Sequence, residues 1–126
     1  MKILLDTSVL IDALRARNNR RGLLANLLHE GHSLTTSVLN VAEVYAGMRA
    51  GEEAQTAEFL SGLECFELQE NAARLAGHLK NSWAKKGRAL TLADTIVAAI
   101  AIENRCTLFT DNRKDFPMPE LQLHQA

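Results

Sequence analysis

Aromatic residues make up only 5% of this 126-residue chain, cysteine occurs twice, and no apolar run approaches the ~18 residues that cross a bilayer. The first shortage assigns the core to Leu, Ile, Val and Ala. With 47% hydrophobic residues there is enough apolar side chain to build one, which argues against disorder. The two cysteines, Cys65 and Cys106, lie apart, so the clustered spacing of a zinc site is missing. Each stands among apolar neighbours in a candidate strand (CFEL, RCTLF) and is expected to be a small buried hydrophobe. The N-terminus shows no positively charged region leading into an apolar core with a cleavage site. The expectation is a cytosolic protein without membrane attachment, forming one domain over residues 1–126. A formal net charge of −1 argues neither for nor against a polyanionic partner. Any nucleic-acid surface must concentrate its basic residues on one face.

What is present alternates regularly. Residues 2–5 (KILL) predict a short buried strand, followed by a helix over Ser8–Arg17 and a second over Arg21–Glu30, stopped at Gly31. HSLTTS (32–37) predicts a second strand and VLNVAEVYAGMR (38–49) a helix with Val38, Val41, Ala42, Tyr45 and Met48 on one stripe. A further helix over 52–63, a strand at CFEL (65–68) and a long amphipathic helix over 70–86 follow. LADTIVAAIAIEN (92–104) is apolar nearly all round, which predicts a helix buried on most sides. CTLF (106–109) is a fourth strand, and LQLH (121–124) a candidate fifth at the edge. Short, continuously apolar strands alternating with helices predict an α/β fold: a parallel sheet covered by helices on both faces.

In such a sheet, functional groups collect beyond the carboxyl ends of the strands. Asp6 directly follows the first strand and Asp111 follows the fourth. Glu43 lies on the helix leaving the second strand, and Asp94 in the first turn of the most buried helix. Each has an ordinary structural role open to it. Asp6 can cap the helix that follows, Thr91–Asp94 (TLAD) fits a capping box, Glu43 can be solvated, and Asp111 can start a turn. None of those roles requires the acids to converge. Convergent carboxylates repel by about a few kcal/mol per close pair, and a divalent cation with oxygen ligands converts that repulsion into binding. Mg²⁺ keeps several waters, one of which can be made nucleophilic toward a phosphodiester. Ser8 and Thr110 stand where their hydroxyls can orient a ligand carboxylate or a water.

The segments LLDTSVLID, TTSVLNVAEVYAGM, LTLADTIVAAIA and LFTDNRKDF, in this order and spacing, resemble the PIN domain and in particular the VapC toxins of bacterial toxin–antitoxin pairs. The resemblance covers essentially the whole chain. It implies a three-layer α/β/α fold with a short central parallel sheet, a Mg²⁺-dependent endoribonuclease in which Mn²⁺ substitutes, a homodimer, and a VapB-type antitoxin that blocks the acidic site. It makes Asp6 and Asp94 the principal metal ligands, with Glu43 completing the site directly or through water. The fourth position departs from the commoner pattern. Many relatives carry an acid two residues after the threonine, where this chain has Asn112, flanked by Asp111 and Asp115. TDNRKDF fits the looser Thr-x-Asn-x-x-Asp-Phe form, so Asp111 is taken first, with Asn112 and Asp115 as alternatives.

RNA is held by its phosphates, and three basic segments are candidates: Arg15–Arg21 (RARNNRR), Lys85, Lys86 and Arg88 in KKGR, and Arg113 with Lys114 beside the fourth motif. The helices over Gly51–Gly62 and Glu70–Lys86 are the expected antitoxin or dimer surface. Trp83 lies on a helix stripe and is assigned to packing, and the four histidines receive no role. Three other readings remain: a phosphatase with Asp6 as nucleophile, which would want a second Asp where Ser8 stands; a binding module whose acids are caps; and a nuclease acting on DNA.

Overall fold

The computed structural model describes residues 1–124. Four strands, β1 (Lys2–Leu5), β2 (Ser33–Ser37), β3 (Glu64–Phe66) and β4 (Cys106–Phe109), form one sheet in the order β3-β2-β1-β4, and every pairing is parallel. The helices are α1 (Thr7–Leu14), α2 (Arg20–His29), α3 (Val38–Ala46), α4 (Glu53–Ser61), α5 (Glu70–Lys85) and α6 (Leu92–Glu103). A single 3-10 turn covers Arg113–Asp115.

Alternation along the strands divides the core into two. Leu4 and Leu108 face a cluster with Ala76 and Leu79 of α5, Val97 and Ile100 of α6, and the following Phe116 and Met118. Ile3, Leu5 and Phe109 face the other, with Val9 and Leu10 of α1, Leu24 and Leu27 of α2, Val44 of α3 and Leu60 of α4. The result is a helical layer on each face of a parallel sheet, as its continuously apolar strands predict. Burial of each such aliphatic side chain contributes about 1.5–3 kcal/mol, so β1, whose Ile3, Leu4 and Leu5 are fully buried, is a rigid base for whatever follows it. Among the described residues no helix is long and apolar enough to cross a membrane.

Three local expectations need correction. The helix predicted over Ser8–Arg17 ends at Leu14, because Ala16, Asn18 and Asn19 all take left-handed backbone (φ 53 to 55°). Arg21 then caps it, its Nε donating to Ala13 O at 2.7 Å and a terminal nitrogen to Leu14 O at 2.9 Å. Cys65 is exposed, not buried, since β3 is a three-residue strand at the sheet edge; Cys106 is buried as expected. LQLH forms no strand: Leu123 makes one parallel bridge to Leu108, which covers the outer edge of β4.

The order of the strands positions the site. The chain runs β1 to β2 to β3 outward in one direction and then returns to place β4 on the other side of β1. The connections leaving β1 and β4 therefore diverge, and such a reversal opens a crevice at the carboxyl ends. Asp6 and Thr110 are the first residues beyond those two ends.

Candidate active site

Asp6 is buried, 7% exposed, and its backbone N–H still continues the ladder to Phe109 O at 2.9 Å. Its carboxylate accepts three hydrogen bonds. Thr7 N–H and Asn40 Nδ2 donate to Oδ1 at 2.9 and 3.0 Å, and the Thr110 hydroxyl donates to Oδ2 at 2.7 Å. The helix cap anticipated from sequence is thus present, as the bond from Thr7 N–H. It accounts for one of three bonds. An ionised carboxylate offers about four lone-pair sites, so one direction remains open.

Glu43 is exposed on α3 and is anchored at one oxygen only, where the Thr7 hydroxyl donates to Oε1 at 2.6 Å. Thr7 is itself held by Asn40 Nδ2 at 3.0 Å. No pattern in the sequence marks out Asn40. On a linear reading it is one polar residue on an amphipathic helix, yet it is wholly buried.

Asp94 is half-buried in the first turn of α6, and its backbone N–H is capped by Thr91 Oγ1 at 3.1 Å. Burial pushes its carboxyl above the usual range. The hydrogen bond with Thr91 pulls the other way, and the charges of Asp115, Asp6 and Glu43 push it up further. Asp94 thus feels the charges of three acids from other segments, and two of those, Asp6 and Glu43, are tied together through Asn40 and Thr7.

At the fourth position the three candidates have different surroundings. Asp115, at the end of the 3-10 turn, is among the charges felt by Asp94. Asp111 is bound by the guanidinium of Arg20, which also lies 3.7 Å from Asp12 and 5.2 Å from the Phe109 ring centroid. Asn112 is exposed, and its backbone N–H donates to Thr110 Oγ1 at 3.0 Å, so the hydroxyl that fixes Asp6 also fixes the loop.

Carboxylates and hydroxyls are a hard-oxygen donor set, suited to Mg²⁺, Mn²⁺ or Ca²⁺ rather than to a thiolate-seeking metal. Among the described residues, no three His, Cys, Asp or Glu side chains stand close enough to form a ready-made cage. Mg²⁺ does not need one: it takes one or two carboxylates and completes its octahedron with water. Two further observations fit such an occupant. Asp6 keeps an unused lone-pair direction, and Ser8 Oγ, two residues on, is buried without a hydrogen-bond partner.

Much of the predicted basic surface is tied into the fold. Arg15 pairs with Glu52 at 3.2 Å, Arg20 with Asp111, and Arg21 with helix carbonyls. Arg88 donates to Lys114 O, and Arg113 to His124 O at 2.7 Å. Lys86 lies 4.5 Å from the Trp83 ring centroid. Lys85 and Lys114 are exposed and make no ion pair among the described residues. The Arg88 bond brings the KKGR segment against the turn that carries Asp115.

A short parallel sheet between two helical layers, with Asp6 at the reversal between β1 and β4 and Glu43 tied to it through Asn40 and Thr7, defines an α/β/α fold with acids at the carboxyl edge of its sheet. The chain belongs to the PIN domain family, which it matches over residues 3–118. It is 34% identical over 120 residues to Ribonuclease VapC19 of Mycobacterium tuberculosis, covering 94% of this chain and 96% of that one. Among solved structures it is similar to VapBC2 from Rickettsia felis bound to a promoter DNA fragment, with a TM-score of 0.87 at 24% identity over 98% of both chains. A toxin–antitoxin complex from Klebsiella pneumoniae is 27% identical, with a TM-score of 0.77 over 94% of both chains.

Proposed function

We propose that this protein is a divalent-cation-dependent endoribonuclease and the toxin of a VapBC-type toxin–antitoxin pair. What supports the reading is the hydrogen-bonded linkage of Asp6 and Glu43 through Asn40 and Thr7 at the end of β1, in a chain a third identical along its length to a ribonuclease of the VapC group.

Asp6 and Asp94 would hold the cation, Mg²⁺ with Mn²⁺ as a substitute, and Glu43 and Asp115 would complete the set directly or through water. When bound, the cation supplies an activated water and charge stabilisation at the phosphoryl oxygens. The protein's part is orientation. Thr110 and Asn40 fix the two oxygens of Asp6. Thr7 fixes one oxygen of Glu43 and leaves the other to receive a water or its proton. Lys114, Lys85 and Arg17, exposed and without an ion pair among the described residues, are cations available for RNA phosphates. Asp111 would serve the turn through Arg20 and not the cation.

The antitoxin partner is proposed as VapB-like, since the similar solved structures are toxin–antitoxin complexes. Its best seat is an apolar groove of about 590 Å³ between α1, α2 and α4, lined by Leu24, Leu28, Leu34, Phe59 and Leu63. The α4 part of the expected surface lies there, whereas α5 buries Ala72, Ala76 and Leu79 in the core. Val38 and Tyr45 expose apolar surface on one face of α3, which supports a homodimer; sedimentation of wild type against a Tyr45→Glu variant tests it.

The deciding experiment is cleavage of total cellular RNA, and of single-stranded DNA in parallel, by purified protein with Mg²⁺, Mn²⁺ or EDTA. The Asp6→Asn variant is run beside it. Discrete RNA fragments that require both metal and Asp6 support the reading. Cleavage of DNA alone changes the substrate, and folded, antitoxin-free protein without any cleavage returns the acids to structural roles.

A further inference from the structure

Asn40 is 0% exposed, yet both of its amide protons leave its own helix. Nδ2 donates to Asp6 Oδ1 and to Thr7 Oγ1, each at 3.0 Å. Thr7 passes its single hydroxyl proton to Glu43 Oε1 at 2.6 Å. On the other side, the Ser37 hydroxyl donates to Asn40 Oδ1 at 2.6 Å while accepting the Asn40 backbone N–H at 3.3 Å. The amide orientation is fixed by its partners, because a flipped amide would set its oxygen against a carboxylate. The side-chain hydrogen bonds thus run from Ser37 through Asn40 and end on two acids, Asp6 directly and Glu43 by way of Thr7.

We infer that Asn40 is a positioning residue that couples two carboxylates of the site, Asp6 directly and Glu43 through Thr7, so that both turn their remaining oxygens to one cation. This rests on the reading of the acids as a cation site. A buried asparagine kept for packing alone would not need to reach two other elements. Here it joins the end of β2, from which Ser37 and α3 start, to the end of β1, where Asp6 and α1 start. Partners that orient metal ligands alter affinity without touching the metal.

The test is direct titration with Mn²⁺, by calorimetry or electron paramagnetic resonance, of wild type, Asn40→Ala, Thr7→Val, the double variant and Asp6→Asn. Unfolding temperatures are measured in EDTA. Asn40→Ala is expected to bind Mn²⁺ roughly 10–100-fold more weakly. Thr7→Val, which cuts only the Glu43 arm, should lose about tenfold or less. The double variant should match Asn40→Ala within about twofold, since the two sites act in series. A merely structural asparagine would lower the unfolding temperature and leave the affinity of the folded protein unchanged, which overturns the inference. If Asn40→Ala does not fold, unchanged affinity in Thr7→Val overturns it instead. Wild type that binds no Mn²⁺, or binds it equally with Asp6→Asn, removes the cation reading itself and this inference with it.

Discussion

The Thr110 hydroxyl donates to Asp6 Oδ2 at 2.7 Å across 104 positions of sequence, and Thr110 Oγ1 in turn accepts the backbone N–H of Asn112 at 3.0 Å. One buried hydroxyl thus joins the ends of β1 and β4 to the loop that carries Asp115. Thr110→Val keeps the shape and removes both bonds. Leaving buried partners unmade costs about 1–3 kcal/mol, and the loosened Asp6 should weaken cleavage by about 10–100-fold. Thr110→Ser keeps the hydroxyl and should keep most of the activity. Equal rates for the Val and Ser variants, measured on protein of verified fold, would remove Thr110 from the site.

Asp94 makes a prediction of opposite sign for stability and activity. Its carboxyl is raised from the ordinary 3.8 by burial first, against the pull of Thr91, and then by the charges of Asp115, Asp6 and Glu43. In metal-free protein the folded chain holds this proton more tightly than the unfolded one. The resulting stability is full below 3.8 and is lost as pH rises through the raised folded value. At neutral pH the ionised group therefore opposes folding. Asp94→Asn should raise the unfolding temperature in EDTA at pH 7, by about 4 °C or less for an effect of about 1 kcal/mol at most. The gain should vanish near pH 3. Cleavage should fall by at least about 100-fold, and added Mg²⁺ should stabilise wild type but not the variant. A variant less stable than wild type at pH 7 would mean that the charge serves α6 as an N-terminal acid before it serves the site.

Asp111 and Asp115 compete for one role, and Arg20 distinguishes them. The Asp111 side chain is 38% exposed in its ion pair with Arg20, and exposed pairs contribute about 0–1 kcal/mol. Asp111→Asn should lower stability by no more than that and leave cleavage within about threefold. Asp115→Asn should lower cleavage at least about 100-fold. The converse result, with Asp111→Asn inactive and Asp115→Asn active, would mean that Arg20 releases Asp111 when cation and RNA bind.

The elements that a single segment specifies were legible in the sequence. The apolar run of β1 ending on Asp6, the Thr91–Asp94 cap and the all-round apolar α6 each follow from local pattern. The carboxyl-edge rule then pointed to Asp6 and Asp111 from chain direction, and to Glu43 and Asp94 on the condition that their helices start at the same edge. What could not be read depends on which strands become neighbours. Cys65 is exposed because β3 falls at the sheet edge, a consequence of strand order. The pairing of Asp111 with Arg20, 91 positions away, is likewise invisible to local pattern. Asn40 looked like any polar residue on an amphipathic helix until the β1–β2 pairing set it beside Asp6. The arginines of RARNNRR read as a phosphate surface, yet Arg15, Arg20 and Arg21 hold the α1–α2 corner and its neighbours together.

Salt dependence separates the cations that meet RNA from those that hold the fold. Lys114 is exposed in the turn that ends at Asp115, and its ammonium makes no ion pair among the described residues. Arg88 and Arg113 are engaged by the carbonyls of Lys114 and His124. A contact to single-stranded RNA releases counterions, and each one lost should reduce the slope of log affinity against log salt by about 0.7. Lys114→Ala should therefore flatten the slope by about that amount, weaken binding of unrelated RNAs alike, and leave the cut site unchanged. Arg88→Ala should act differently. It frees the turn carrying Asp115, so it should lower Mn²⁺ affinity while the slope for RNA stays near that of wild type. Binding is measured by fluorescence anisotropy with Asp6→Asn as the uncleaving background, between about 50 and 200 mM salt. An unchanged slope in Lys114→Ala would move the RNA path away from this turn and toward Lys85, the remaining free cation of the KKGR segment.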